Sequence, residues 1–319
     1  MSSTEPKPSL TILDVGHGSA AVLRDSGGVV LFDTGRGPHV LRHLKKLALT
    51  EVQALFLSHA DADHIGGVAT LLLDAGIRVS RVFLNPDPTK RSPKSNKRAN
   101  VFQQLIYAIM EAEKRTGTVL ETSLTTNTKL PRNGATVEIL FPPATTAASG
   151  VGGADLSGNS LTSNSMSAAI RVCFSPAATV LLGGDIEFAC LDDWRTRGGA
   201  RAHTLIFPHH GGLPGDASPD EAALFAHQLA SIVQPEIVVF SIHRTRFGLP
   251  REEVVRAVLK AVANVRFLCT QLPGRLVSAV AQQPAWSLHR TNSAPGYADG
   301  DIQLQFDQGA LNLQIIKST

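Results

Sequence analysis

Apolar positions recur along this chain first with period two and then with period three to four, so it reads as short strands punctuated by amphipathic helices. Residues 10–15 predict a strand running into Gly16-His17-Gly18, and residues 20–23 and 29–32 a hairpin across Asp25-Ser26-Gly27-Gly28. Residues 40–49 form a helix with a basic face, and the apolar run 52–57 reads as a buried strand. A helix is expected over 65–73, a short strand over 81–84, a longer helix over about 101–115, and strands near Val119 and over 135–141. Residues 142–162, rich in Gly, Ala, Ser and Thr, read as a flexible crossover. Beyond it come a hairpin (168–174 and 179–182), strands at 204–207, 236–242 and 265–269, helices at 220–231 and 251–263, and two closing strands within 301–316. This makes one domain, 10–319, of two βα halves, about 10–160 and 161–319, behind a disordered polar lead, 1–9.

Polar residues gather where these strands end. The densest group is Ser58-His59-Ala60-Asp61-Ala62-Asp63-His64-Ile65-Gly66-Gly67, two histidines and two aspartates directly after a strand. Histidine nitrogen with carboxylate oxygen is a ligand set for zinc or manganese. In an extended segment His59 and Asp61 project to the same side. Asp63 and His64 come where the chain turns into a helix and face another point, so one segment can serve two neighbouring metals. The spacing H-x-D-x-D-H arises by chance on the order of once in a thousand chains of this composition, which argues against a plain polar turn. Other strand ends carry Asp33-Thr34-Gly35, Gly183-Gly184-Asp185 and Pro208-His209-His210-Gly211.

Composition narrows the setting. With 43% hydrophobic and 18% charged residues among 319, the chain is globular with a substantial core. Three cysteines in apolar surroundings, Cys173, Cys190 and Cys269, predict buried thiols in a reducing compartment. No apolar run reaches the roughly 18 residues of a membrane span, so a cytoplasmic protein with no membrane contact is expected. The net charge of +3 does not itself call for a polyanion, but its distribution is uneven. Within 85–100, Lys90, Arg91, Lys94, Lys97 and Arg98 lie among prolines with no acid after Asp87. That basic loop is either a solvated surface or a clamp on phosphates. Trp286 and Tyr297, in or beside a punctuated loop at about 271–297, read as local packing.

Taken in order, the motifs resemble the metallo-β-lactamase superfamily, and within it the hydrolase domain of the ComEC-type competence protein. Asp14-Val15-Gly16-His17-Gly18-Ser19 matches that family's D-V-G-Q-G-D, with His17 and Ser19 in place of glutamine and aspartate. Asp33-Thr34-Gly35 matches D-T-G, and His59 to Gly67 the main metal motif, with Asp61 where most of the superfamily has histidine. Asn164-Ser165-Met166-Ser167, Gly184-Asp185-Ile186 and Pro208 to Gly211 match the later motifs. The late N-x-Y-G-H-P stretch reads Thr245-Arg246-Phe247-Gly248-Leu249-Pro250, which leaves His243 or Arg244 as substitutes.

The resemblance implies an α/β fold of four layers, an αββα sandwich, with a dinuclear site for Zn2+ or Mn2+ at the shared edge of two sheets. It implies that His59 and Asp61 hold one metal, that Asp63, His64 and one of the paired histidines hold the other, and that Asp185 bridges them. Asp14, Asp33, Asn164 and Ser167 would support these ligands, and the first site would be oxygen-rich and open. The implied activity is hydrolysis by a hydroxide bridging two metals, with Asp63, Asp185 and His209 catalytic. Of the pair, His210 is taken as the ligand and His209 as the acid.

Three functions are compatible with these residues. The favoured one is a nuclease or phosphodiesterase acting on DNA or RNA, with Lys90, Arg91, Lys94, Lys97, Arg98, His243 and Arg244 contacting the nucleic acid. The second is a hydrolase of a small ester, lactone or phosphoester, and the third a binding protein with a degenerate site. No protein partner is implied.

Overall fold

The computed structural model describes residues 7–90, 100–155, 158–273 and 300–316. The first part of the chain supplies β1 (Ser9–Ile12), β2 (Ala21–Asp25), β3 (Gly28–Phe32), α1 (His39–Lys46), β4 (Glu51–Val52), β5 (Ala54–Phe56), α2 (Ala62–Ile65), α3 (Val68–Leu72), β6 (Arg78–Val79), β7 (Arg81–Phe83), α4 (Val101–Thr116) and β8 (Val119–Glu121). Next come β9 (Thr136–Phe141), α5 (Ala144–Ser149), β10 (Ala169–Ser175), β11 (Ala178–Leu182), α6 (Phe188–Arg197), β12 (Thr204–Ile206), α7 (Pro219–Val233), β13 (Ile237–Phe240), α8 (Glu252–Ala261) and β14 (Arg266–Cys269). The chain closes with β15 (Asp301–Asp307) and β16 (Ala310–Ile316).

Two sheets result, ordered β16-β15-β1-β2-β3-β5-β7-β8 and β14-β13-β12-β11-β10-β9, with β4 and β6 in a small separate ladder. In each, one end is antiparallel and the other parallel: β3, β5, β7 and β8 run together, as do β11 to β14. Side chains alternate across a strand, so each sheet has an inner and an outer face. Leu10, Leu23, Val30 and Phe56 meet Ile139, Ile170, Val180 and Val239 between the sheets. Outside the first sheet, Leu31, Leu55 and Val82 pack on Leu44, Leu71 and Leu105 of α1, α3 and α4. Outside the second, Leu205, Val238 and Phe267 pack on Leu191, Phe225 and Val258 of α6, α7 and α8. Three apolar cores between four layers are the αββα sandwich. Among the described residues no helix is long and apolar enough to cross a membrane.

The sheets do not divide where the halves do. β9, ahead of residue 160, pairs with β10, Ile139 opposite Ile170, while β15 returns to β1, Leu304 opposite Leu10. Alternation marks a segment as a strand without saying which open edge it will join. The chain therefore changes sheets between β8 and β9, where Arg132 and Asp25 form a fully buried ion pair. The Asp25 carboxylate also accepts from the backbone N–H groups of Gly27 and Ala135, both at 2.8 Å.

Several expected boundaries move. The stretch 142–162, expected to be a flexible crossover, includes α5. The expected helix over 65–73 is two helices, divided at Gly66-Gly67. Ser9 belongs to β1 rather than to a disordered lead, and Pro8 accepts from the Phe306 N–H at 2.8 Å. The helix α6 has no counterpart in the sequence reading; it buries Cys190, Leu191 and Trp194. Cys173, Cys190 and Cys269 are free thiols, and Cys173 is half-buried rather than buried. Trp286 and Tyr297 lie outside the described residues.

Candidate metal centre

The parallel pairs β3–β5 and β11–β12 all release their polar extensions at one edge of the sandwich, and these extensions meet. Asp33 follows β3 and is held in the left-handed region, φ 53°, an unusual conformation for a residue with a side chain. Its Oδ1 accepts from the Ser58 N–H at 2.8 Å, and its Oδ2 accepts from the Ser58 hydroxyl at 2.8 Å and from His64 Nδ1 at 2.7 Å. His64 has thus committed its Nδ1 proton, and its Nε2 points 3.4 Å from Asp185 Oδ1. His59 Nδ1 lies 3.0 Å from the Ser58 hydroxyl and 3.2 Å from that of Ser167, which leaves Nε2 aimed at Asp185 Oδ2, 3.7 Å away.

Asp185 is placed by the turn that ends β11. Its N–H donates to the Ser167 hydroxyl at 2.9 Å, and Gly184 precedes it at φ 54°. A Cβ on Gly184 would lie 2.5 Å from Ser167 Oγ, so only glycine allows the two segments to touch. After β12, His209 and His210 both adopt left-handed backbone, φ 51° and 56°. His209 Nε2 donates to the Ile186 carbonyl at 3.1 Å and turns Nδ1 toward Asp185 Oδ2 at 3.7 Å. His210 Nε2 stands 3.6 Å from Asp63 Oδ2.

Two groups of donor atoms emerge, His59 with His64 and Asp185, and His17 with Asp63 and His210; in each group all the donor atoms lie within 4.8 Å of one another. Tetrahedral coordination at ordinary zinc–nitrogen lengths separates ligand atoms by about 3.3 Å. The separations of 3.3–3.7 Å found here match that spacing. His59 Nε2, His64 Nε2 and His210 Nε2 are buried with no hydrogen-bond partner among the described residues. Orphaned buried nitrogens are costly, and a divalent metal is a partner that they fit once any proton on them has left. The residues present therefore suit metal ions.

Electrostatics agree. Burial, helped by the neighbouring His64, lowers the His59 pKa to about 4, so its imidazole is neutral at pH 7. Burial also opposes charge on His64, but the carboxylates of Asp185 and Asp33 outweigh it and hold its pKa well above the ordinary histidine value. Burial would raise the pKa of Asp185 and of Asp63, yet the surrounding imidazoles keep both carboxylates ionised, far below the usual range. Beside them, burial and the Asp185 charge push Glu187 up to about 7.

The grouping differs from the expected one. His64 lies with His59 and Asp185, whereas Asp63 pairs with His210. Asp61 sits at the rim, its Oδ2 3.8 Å from His59 Nε2 and its Oδ1 in direct ion contact with Lys90. His209, expected as the acid, gives its one proton to a carbonyl, an arrangement also usual for a metal-binding imidazole. Nitrogen therefore weighs more in the donor set than the oxygen-rich first site expected from the sequence.

Supporting residues divide likewise. Ser167 touches His59 and Asp33 touches His64, while the Asp14 carboxylate accepts from Gly16 and Gln271 and so holds the loop that carries His17. Asn164 Oδ1 is buried without a partner, and its carbonyl accepts from the Ser167 N–H at 2.9 Å. His243 flanks Gly16 and accepts from the Thr245 N–H at 3.2 Å; Arg244 is exposed, its N–H donating to Gln271. Leu249, which stands where the resembled family has histidine, is buried in the outer core. Arg91, Lys94, Lys97 and Arg98 lie outside the described residues. Ser58, Glu187 and His17 carry no ligand signal in the sequence beyond the glycines that flank His17.

Residues 13–227 match the family model described as the metallo-beta-lactamase superfamily, and the chain belongs to that superfamily of metal-dependent hydrolases. Over 57 residues it is 39% identical to ribonuclease Z of Treponema denticola, a match covering 18% of each protein, so the chain spans under a fifth of that relative. Among solved structures it resembles the metallo-beta-lactamase fold protein YhfI from Bacillus subtilis, with TM-score 0.50 and 13% identity over 82% of this chain and 96% of that one. It also resembles Tm1679, a metal-dependent hydrolase of the beta-lactamase superfamily, with TM-score 0.50 and 17% identity over 82% and 95%. At these identities the structural likenesses speak for the fold alone.

Proposed function

We propose that this protein is a metal-dependent phosphodiesterase acting on nucleic acid, DNA or RNA. The contact between Lys90 and Asp61 carries the reading. Lys90 opens the run that continues through Arg91, Lys94, Lys97 and Arg98, and its carbonyl accepts from the Asn100 side chain at 2.9 Å. Lys90 and Asn100 are therefore tied together beside the metal centre, and a polyanion drawn to Lys90 brings a phosphate to the ligands. The short likeness to ribonuclease Z and the ComEC-type order of the motifs support the same substrate class.

In this reading His59, His64 and Asp185 hold one metal with His209 beside them, and Asp63 and His210 hold the other. Bound divalent ions would supply Lewis acidity toward phosphoryl oxygens and lower the pKa of water. The nitrogen-rich donor set favours zinc over manganese. Asp33, Ser58 and Ser167 fix the ring orientations, and Lys90 receives the phosphate that approaches over Asp61.

The test is elemental analysis of purified protein coupled to cleavage of labelled single- and double-stranded DNA and of RNA, with zinc, manganese or chelator, for wild type and Asp185→Ala. The proposal expects bound metal and metal-dependent cleavage of polymer that the variant loses. Turnover of a small generic diester with no preference for polymer would replace nucleic acid by a small phosphoester. Protein that binds no metal would leave only the degenerate-site reading.

A further inference from the structure

We propose that His17 is itself a ligand, so that the metal at Asp63 is held by three protein groups, His17, Asp63 and His210. The inference rests on the metal centre of the function proposed above and adds a residue that the motif-based ligand set omits. His17 Nε2 is 3.3 Å from Asp63 Oδ2, the same oxygen that His210 Nε2 faces from 3.6 Å. The His17 ring lies against that of His210, centroids 4.5 Å apart, and is covered on the outside by Phe247 at 4.2 Å.

The position of His17 is built, not incidental. Asp14 Oδ1 accepts from the Gly16 N–H at 3.1 Å, and the Ser19 N–H donates to the Asp63 carbonyl at 3.1 Å. Gly18, at φ 145°, passes so close that a Cβ there would sit 2.4 Å from that carbonyl oxygen. The loop between β1 and β2 is thus bolted to the backbone of the residue whose side chain it faces. A simple ion pair between His17 and Asp63 leaves the buried His210 Nε2, 3.6 Å from the same oxygen, with no hydrogen-bond partner among the described residues. A cation between the three groups gives every donor a partner and retains an open coordination position, as catalytic zinc sites with three protein ligands do.

One consequence concerns rank. His59, His64 and His209 each hydrogen-bond through the ring nitrogen turned away from the centre, whereas His17 Nδ1 is buried without a hydrogen-bond partner among the described residues. A ligand imidazole lacking that outer bond is less basic and less firmly oriented. The metal at His17 is accordingly the weaker of the two and leaves first.

The deciding experiment compares wild type with His17→Gln, which keeps a donor for Asp63 but removes the imidazole. Metal-stripped protein is titrated with zinc against a competing chelator and, separately, loaded with cobalt and followed by visible absorption. The expected result is two zinc ions in the wild type with unequal affinities. The variant should keep the tighter ion and its folded melting transition, bind the weaker ion at least ten-fold less well, and show an altered cobalt spectrum. Two ions with unchanged affinity and spectrum in the variant would overturn the proposal while leaving the proposed function standing. Wild type without metal would sink both. Should the variant not fold, anomalous diffraction from zinc-loaded wild type decides: zinc bonded to a His17 nitrogen at about 2.0–2.1 Å supports the assignment, and zinc on Asp63 and His210 alone refutes it.

Discussion

His64 Nδ1 lies 2.7 Å from Asp33 Oδ2, and that bond decides which nitrogen of His64 is available to a metal. Asp33 also accepts from both the backbone and the hydroxyl of Ser58, so its carboxylate organises Ser58, directly before His59, together with His64. Replacing it with asparagine keeps a residue tolerant of left-handed backbone. An amide oriented to accept from the Ser58 N–H presents its NH2 to His64, which forces the proton onto Nε2. Asp33→Asn should fold and bind metal about 10–100-fold more weakly, the usual cost of an altered outer partner. Chelator competition that gives equal affinity for variant and wild type would rule this role out.

The elevated His64 pKa fixes the sign of a pH effect. In metal-free protein the imidazole is protonated at neutral pH between Asp33 and Asp185, so a metal must displace the Nε2 proton. Loading at pH 7 should release about one proton from this site, and the apparent affinity should rise about ten-fold per pH unit below the folded pKa. Calorimetry in buffers of different ionisation enthalpy measures the release directly; a heat independent of buffer contradicts it.

Lys90→Gln separates substrate capture from metal binding. The variant should retain its metal, because the Lys90 ammonium meets the rim carboxylate of Asp61 rather than a member of either donor group. Its binding to duplex DNA should show a salt dependence shallower by about 0.9 in log–log slope, the contribution of one phosphate contact. An unchanged slope would remove Lys90 from the phosphate path.

Arg132→Ala should cost about 3–5 kcal/mol, since it strands the wholly buried carboxylate of Asp25 without its cation. Urea unfolding of metal-loaded protein reads the loss. A change within 1 kcal/mol would mean that Asp25 finds other partners or a proton.

The helices show best where legibility ends. α4 and α7 stand out in sequence because each carries an apolar stripe behind a capping box, Asn100 with Gln103 and Ser218 with Glu221. α6 has neither a side-chain cap nor a strong stripe, and only its packing under α7 reveals it. At the metal centre the density of ligand-type residues in 58–67 is visible directly, because one strand end presents them all. The contribution of His17 is not, since a single histidine between glycines carries no spacing signal until the fold brings it to Asp63.

By itself the sequence determined what is local: strand and helix periods, the turns at Gly-rich strand ends, and the His/Asp chemistry of the site. Those depend on neighbours a few positions away, and short-range sterics and ligand type suffice to read them. Tertiary structure alone decided which imidazoles lie together, that β9 and β15 exchange sheets, and that Asp61 meets Lys90 and Asp25 meets Arg132 across 29 and 107 positions. The reason is physical: a strand edge or a charged side chain accepts many partners of the right type, and only packing of the whole chain selects one.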